Sequence, residues 1–165
     1  MTGNKGEELI NKRYLECDFI EKFSKCFASG TDYIDTESGC CLYNYPFQVA
    51  VFPNFINDKE ILRSFISEFN KLTFKHKLND LHDFFQSPDL IKSPLQTFSN
   101  ISKSLGMTVQ SITQVIKSWG NIASRLTNIK LGDNVIDCAC QIYKTGGRLL
   151  CHDDALEGRR ITYYG

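Results

Sequence analysis

The spacing of apolar residues changes along this chain, and that change constrains the fold more than any other feature of the sequence. In the first part, apolar side chains recur at the intervals of an amphipathic helix. Four segments are predicted to be helical: Glu8 to Phe27, Asp58 to Leu72, Ser93 to about Leu105, and Val109 to Leu126 with a break at Gly120. Asn57 or Asp58 is suited to cap the second helix, and Ser93-Pro94 suits the start of the third.

Strand-like segments are concentrated towards the end of the chain. Val135 to Tyr143, Arg148 to Asp154 and Arg159 to Tyr164 are predicted strands, with a turn at Gly146-Gly147 between the first two. Pro46 to Pro53 is predicted to be a short edge or entry strand, because prolines bound it. Lys75 to Leu90 fits either a strand or a loop. Helices first and strands late predict an α+β fold.

Composition indicates a globular chain without a dominant charge. The 165 residues are 42% hydrophobic, and 19 basic side chains balance 19 acidic ones. This length is enough for one domain with a core, and the balance predicts no direct nucleic-acid partner and no membrane surface. The polar N-terminus has no secretory signal, and no apolar run approaches the roughly 18 residues of a membrane span.

The seven cysteines are expected to be free thiols in a reducing compartment, because their number is odd and no export signal precedes them. A zinc site formed by Cys138, Cys140, Cys151 and His152 is an alternative. Its spacing does not match the paired knuckles of structural zinc sites, so buried thiols are favoured.

His152 and Asp154 form a His-x-Asp pair on a predicted strand, so the two side chains point to the same side and Asp153 to the other. Two histidines and one carboxylate on one face of an iron ion are the ligands of non-haem Fe(II) oxygenases. The pair supplies two of the three, and no histidine follows His152. By itself the tripeptide also fits a surface histidine beside two aspartates.

Longer stretches make the metal interpretation more specific. They are PFQVAVFPNFI at residues 46–56, NDLHDFFQSPDL at 79–90, Ser118-Trp119, and above all LLCHDDALEGRRI at 149–161. Over residues 45–161 the chain resembles the N-terminal part of the ribosomal prolyl 3-hydroxylase family of Fe(II)- and 2-oxoglutarate-dependent oxygenases. The resemblance implies an N-terminal helical extension at residues 1–45. Residues 46–165 would be the N-terminal part of the oxygenase domain, with the first strands of a double-stranded β-helix, or jelly roll.

The resemblance also implies the chemistry. His152 and Asp154 match the first two iron ligands, Tyr143 matches a tyrosine whose hydroxyl reaches 2-oxoglutarate, and no further catalytic residue is matched. The implied reaction is hydroxylation of a proline in a small-subunit ribosomal protein, which affects translation accuracy and termination. L-ascorbate would support the iron, and the implied location is the nucleus and cytoplasm.

The chain departs from the family pattern after Ile161. The distal histidine and the basic partner of 2-oxoglutarate would lie beyond Gly165. The alternative is therefore a truncated, catalytically inactive product or a protein-interaction fragment. Neither His76 nor His82 is expected to replace the third ligand, because His76 lies among lysines and His82 fits packing or loop structure. Arg159 or Arg160 could pair with an acidic co-substrate, but solvated side chains or a salt bridge to Glu157 are favoured.

Overall fold

The computed structural model describes residues 6–69, 71–92, 103–132, 136–152 and 158–165. Within these residues, two 3₁₀ turns, at Glu7–Leu9 and Lys12–Leu15, precede three α-helices and seven strands. The helices are α1 (Cys17–Ser29), α2 (Lys59–Phe69) and α3 (Lys103–Thr127). The strands are β1 (Tyr33–Ile34), β2 (Cys41–Tyr43), β3 (Val49–Val51), β4 (Lys75–Leu78), β5 (His82–Gln86), β6 (Gln141–Ile142) and β7 (Arg148–Leu149). The fold is α+β, as predicted.

The first predicted helix begins later than its apolar spacing indicates. Ile10 forms an antiparallel bridge with Ile56, the Asn11 amide donates to the Phe55 carbonyl, and the Asn57 amide donates to the Leu9 carbonyl. These backbone groups pair with another segment, so they are not available for a helical ladder. The α-helix therefore starts at Cys17. It ends at Gly30, whose φ of 67° is the left-handed conformation that glycine adopts at low cost.

The second helix agrees closely with its sequence pattern. The Asp58 carboxylate accepts hydrogen bonds from the Glu60 amide at 2.9 Å and the Ile61 amide at 3.0 Å. Asp58 is thus the residue that caps α2, one of the two candidates.

The predicted break at Gly120 is wrong, because α3 continues through that residue to Thr127. A glycine costs an interior helical position only about 1 kcal/mol, and Val115 and Ile122 on either side of it are buried in the core. A side chain at position 120 would lie 3.4 Å from the Ile136 Cδ1 atom, so the small residue fits a close contact. The helix predicted from Ser93 falls largely on residues 93–102, which lie outside the described part of the chain.

Strands β1, β2 and β3 form an antiparallel sheet in that order, with Tyr33 opposite Leu42 and Leu42 opposite Ala50. The edge strand predicted between Pro46 and Pro53 is β3. The outer face of this sheet and its loop carry exposed apolar side chains: Ile34, Tyr43, Tyr45, Phe47, Val49 and Val51.

The second sheet is built on β5, which pairs with β4 on one side and with β6 and β7 on the other. The segment from Lys75 to Leu90, left open between strand and loop, is therefore mainly the β4–β5 hairpin. Both β6 and β7 run antiparallel to β5 along the same edge, with Phe85 opposite Ile142 and His82 opposite Leu149.

The turn at Gly146-Gly147 is present but does not reverse the chain into a hairpin. It lies in an excursion between β6 and β7, after which the chain resumes the same edge of β5. Three predicted strands are corrected: in the described residues, β6 covers only Gln141–Ile142 of the first, β7 covers only Arg148–Leu149 of the second, and no strand is assigned at residues 158–165. Val135 and Asp154, at the ends of two predicted strands, lie outside the described residues.

Two clusters of apolar side chains hold the elements together. The first joins the N-terminal turns, α1, the first sheet and the C-terminal half of α3, and includes Tyr14, Phe19, Phe23, Leu42 and Ile122. The second joins α2, the segments that flank the strands of the second sheet, and the start of α3 around Leu72, Leu90 and Val109. All seven cysteines are free thiols, as predicted. Among the described residues, no helix combines the length and apolar character needed to cross a bilayer.

Candidate functional site

His152 lies just beyond β7, where the chain leaves the second sheet. The Leu150 amide donates to the Leu81 carbonyl at 3.0 Å, which ties the approach to His152 to the start of β5. The Nδ1 atom of His152 is 2.8 Å from the Leu150 carbonyl oxygen. A carbonyl can only accept, so Nδ1 carries the hydrogen of this contact. Metal-binding histidines usually have this arrangement, with one nitrogen donating to a carbonyl or carboxylate.

A row of aromatic rings runs along one face of β5. His82 and Phe84 are two residues apart on the strand and share a face. The His82 ring lies 6.4 Å from that of His152 and 5.3 Å from that of Phe84, both nearly edge to face. The ring of Tyr143 lies 5.3 Å from that of Phe84. His152, His82, Phe84 and Tyr143 therefore form a row of rings, which we call the β5 row.

Tyr143 reaches the β5 row from the excursion between β6 and β7. Its hydroxyl donates to the Gln141 Oε1 atom at 2.9 Å, and the residue is about half exposed. Partial burial raises the pKa of the phenol above its ordinary value, so Tyr143 stays a neutral hydrogen-bond donor near neutral pH. The structure brings Tyr143 and His152 to one face of the sheet through their separate contacts with β5.

Asp154, the carboxylate partner of His152 in the sequence motif, lies outside the described residues. In the described part of the chain, no three His, Cys, Asp or Glu side chains meet in a group that could hold a metal ion. Of the two predicted iron ligands, the described residues therefore include His152 alone.

The cysteines of the alternative zinc site lie in different surroundings. Cys138 and Cys140 pack against the second apolar cluster, whereas Cys151 is exposed beside His152. Burial raises the pKa of Cys138 and raises that of Cys140 to about 11. Zinc binds the thiolate, so this environment favours the buried thiols that the spacing also favoured.

The opposite face of β5 carries a separate polar cluster. His76 stacks on Phe85 with the ring centroids 4.6 Å apart, and its Nε2 atom is 2.9 Å from the Asp83 Oδ1 atom. The Lys144 Nζ atom lies 4.3 Å from the centroid of the Phe85 ring, and an Arg148 nitrogen is 3.8 Å from the Asp83 carboxylate. His76 is therefore held on the face away from the β5 row.

Sequence reasoning did not identify the proximity of His82 to His152. The two residues are seventy positions apart, and only the pairing of β5 with β7 brings them together. The sequence around each residue is strand-like, but it does not show in which register the two strands pair. Arg159 and Arg160 are exposed in a segment without assigned strand structure.

No family model matches the chain, but curated proteins do. It is 36% identical over 118 residues to prolyl 3-hydroxylase OGFOD1 of Mus musculus, a match covering 72% of this chain and 20% of that protein. It is 32% identical over 123 residues to the Xenopus laevis protein of the same name, covering 74% and 22%. Prolyl 3-hydroxylase sudestada1 of Drosophila melanogaster is 25% identical over 162 residues, covering 95% and 28%. The chain thus spans less than a third of the length of each of these relatives.

Proposed function

Because the chain belongs to the prolyl 3-hydroxylase family over the length that it shares with these relatives, we propose that it supplies part of the active site of an Fe(II)- and 2-oxoglutarate-dependent prolyl hydroxylase. The observation that carries this proposal is the state of His152. Its Nδ1–H donates to the Leu150 carbonyl at the end of the β5 row, the arrangement that is usual for histidines that bind a metal.

His152 and Asp154 would hold the iron, and the donor set fits, because imidazole and carboxylate are the ligands of non-haem Fe(II) sites. When bound, iron and 2-oxoglutarate supply the oxidation of a prolyl C–H bond by O₂. The Leu150 carbonyl fixes the ring orientation of His152. The Tyr143 hydroxyl, whose single hydrogen is donated to the Gln141 Oε1 atom in this structure, would exchange that acceptor for 2-oxoglutarate. The buried ring of Phe84 excludes water from the base of the row.

The finer features of the proposal derive from the family resemblance. They are a jelly roll begun by the antiparallel strands around β5, a substrate proline in a small-subunit ribosomal protein with effects on translation, support of the iron by L-ascorbate, and a nuclear and cytoplasmic location. The antiparallel pairing of β5 with β4, β6 and β7 is compatible with such a sheet.

A chimera tests the proposed function independently of the chain's length. Residues 45–161 of this chain would replace the matching segment of the mouse relative, and succinate release from 2-oxoglutarate would be measured with Fe(II), ascorbate and a prolyl substrate. We expect hydroxylated product by mass spectrometry, and its loss in His152→Ala and in Asp154→Ala. Asp153→Ala is the matched control, because the family resemblance matches His152 and Asp154, but not Asp153, to iron ligands. A folded chimera that turns over equally with and without His152 would contradict the proposal.

A further inference from the structure

The outer face of the sheet formed by β1, β2 and β3 carries more exposed apolar side chains than any other surface in the part of the chain that the structure describes. Six of the twelve large apolar side chains exposed in these residues lie between positions 34 and 51. The other six are distributed over α2, the second sheet with its loops, and the C-terminal segment. We propose that this outer face, together with the loop between β2 and β3, is a dimer interface on which the same face of a second copy of the chain packs. The interface is separate from the β5 row, which lies on the second sheet.

Strand register places these side chains on one face. Cys41 lies directly opposite both Ile34 and Val51. Tyr43 lies opposite Val49 in the same way, and residues that lie opposite each other point to the same side of a sheet. The outer face therefore consists of Ile34, Cys41, Tyr43, Val49 and Val51, and the loop at its end adds Tyr45 and Phe47. None of these seven side chains carries a formal charge in the sequence count of acidic and basic residues.

The strands β2 and β3 are apolar on both faces. Between the outward residues, Leu42 and Ala50 point inward and pack in the first apolar cluster with Phe19 and Phe23 of α1. An antiparallel sheet with one face in water usually alternates apolar and polar residues, whereas continuous apolar strands are typical of sheets that are covered on both faces. These strands therefore have the composition of a sheet with a layer on each side, and α1 and α3 supply only one of those layers.

The exposed area favours a second copy as the other layer. The six large side chains are 43–90% exposed and present on the order of 700 Å² of surface, close to the roughly 800 Å² that each partner contributes to a standard interface. The largest apolar patch on a typical monomer is smaller, at roughly 300–600 Å². Because the face carries no charge, it offers nothing to attract a charged partner, whereas a second copy supplies an equal area of the same apolar character.

The packing of sheets on sheets gives the dimer its geometry. Two sheets stack face to face about 10 Å apart, with the side chains of both inner faces interdigitated. Contact of a face with its own copy is two-fold symmetric and closes at two subunits, so it does not continue into a fibre. Tyr45 is 90% exposed and Phe47 is 68% exposed, and large aromatic side chains are the usual anchors of an interface. The dimer then has four layers, with the two sheets between the helices of the two copies.

Sedimentation velocity of the whole 165-residue chain over a range of concentrations tests the interface, because it measures the dissociation constant of the dimer. We expect this constant to rise by at least about tenfold in Phe47→Ser and in Val51→Lys, because each variant removes apolar surface from the interface. Ile66→Lys is the matched control. Ile66 is 71% exposed on α2, outside the interface, so the dissociation constant of this variant should equal that of the unchanged chain.

The reactivity of single thiols gives a second measurement. Cys41 lies on the outer face of the sheet, whereas Cys17 is exposed at the start of α1. Alkylation followed by mass spectrometry should find Cys41 slower to react at concentrations where the dimer forms, and Cys17 equally reactive at all concentrations. Protection of Cys41 in a chain that stays monomeric would show that another segment of the same chain covers the face, and would overturn the proposed dimer.

Four further outcomes would also overturn it. A chain that is monomeric at every concentration has no such interface. Assemblies that keep growing with concentration would show open-ended association through strand edges. A dimer that both Phe47→Ser and Val51→Lys leave intact would use another surface; circular dichroism checks that each variant keeps its helices, and the change at position 47, in the loop, leaves the strands untouched. A native mass equal to one chain plus a different polypeptide would identify a partner other than a second copy.

Discussion

Arg13 lies within ion-pair distance of four carboxylates, those of Glu16, Asp18, Asp35 and Glu37. Its guanidinium donates to both carboxylate oxygens of Asp35, at 2.7 and 3.2 Å, and also to Glu16 and Asp18. The Asp35 side chain is only 6% exposed, and it accepts two further hydrogen bonds from Ser38. The pair therefore fixes the turn between β1 and β2 to the N-terminal segment.

The Asp35 pair predicts an acid-sensitive component of stability. Hydrogen bonds from Arg13 lower the pKa of Asp35 well below its usual range, whereas an unfolded aspartate titrates near pH 4. A depressed folded pKa contributes stability that is complete above the unfolded pKa and declines as the pH falls below it. We expect Asp35→Asn to lower the free energy of unfolding at neutral pH by about 3 kcal/mol, because the change breaks a buried ion pair.

Urea unfolding at neutral pH and below about pH 4 would measure this. The difference between Asp35→Asn and the unchanged chain should shrink in acid. Glu37→Gln is the control, since Glu37 is exposed and 3.4 Å from Arg13, and it should cost less than about 1 kcal/mol. A difference that is constant with pH would show that Asp35 does not titrate as argued.

Ser118 and Ser87 are both buried, but they differ in whether their hydroxyl groups form hydrogen bonds. The Ser118 hydroxyl on α3 has no hydrogen-bond partner in the part of the chain that the structure describes. The Ser87 hydroxyl accepts from the Cys140 amide at 3.0 Å and donates to the Pro88 carbonyl at 2.8 Å. A buried hydroxyl without a hydrogen bond lowers the free energy of unfolding. Removal of a hydroxyl that has hydrogen bonds leaves its buried partners without one, and this also lowers the free energy of unfolding.

The same substitution should therefore act in opposite directions at these two positions. We expect Ser118→Ala to leave stability unchanged or raise it by about 1 kcal/mol, and Ser87→Ala to lower it by about 1–3 kcal/mol. Thermal unfolding of both variants would measure this. If Ser118→Ala destabilised the chain as much as Ser87→Ala, the Ser118 hydroxyl would have a bonding partner.

At the scale of elements, the sequence predicts the end of a helix correctly where residues close to that end determine it. The Asp58 cap and the end of α1 at Gly30 follow from residues within a few positions of each end. The start of α1 did not, because pairing of Ile10 with Ile56 depends on a segment more than forty residues away. The same distinction applies to the candidate site. A sequence motif predicts His152, whereas the proximity of His82 to it depends on the register between β5 and β7.

The glycine in α3 gives a prediction at this scale. Gly120 lies inside a continuous helix, where alanine is favoured over glycine by about 1 kcal/mol. The added methyl group would sit 3.4 Å from Ile136, a contact that a small side-chain movement relieves. We expect Gly120→Ala to raise the melting temperature. Gly30→Ala is the contrasting variant: its left-handed φ makes alanine unfavourable, so it should lower the melting temperature. A lower melting temperature for Gly120→Ala would mean that the contact with Ile136 is rigid.

Across the whole molecule, α3 is the element that the two apolar clusters share. Val109 near its start belongs to the second cluster, and Val115, Ile122 and Leu126 belong to the first. The single tryptophan, Trp119, packs edge to face on Phe52 and Phe55 at 5.1 Å each, so its fluorescence reports on the first cluster. Because one rigid helix enters both clusters, loss of packing in either should be transmitted to the other.

Leu72→Ala tests that coupling. Leu72 is buried in the second cluster, and truncation of a buried leucine costs about 2–5 kcal/mol. We expect the urea midpoint of Trp119 fluorescence to fall with that of circular dichroism, although residue 72 belongs to the other cluster. Leu78→Ala is the matched control, because Leu78 is 65% exposed and its loss should change stability by less than about 0.5 kcal/mol. If Leu72→Ala accelerates amide exchange in β4 and β5 but leaves the Trp119 midpoint in place, the clusters unfold separately. In that case the β5 row, which stands on the second sheet, could open without disturbing α1 and the first sheet.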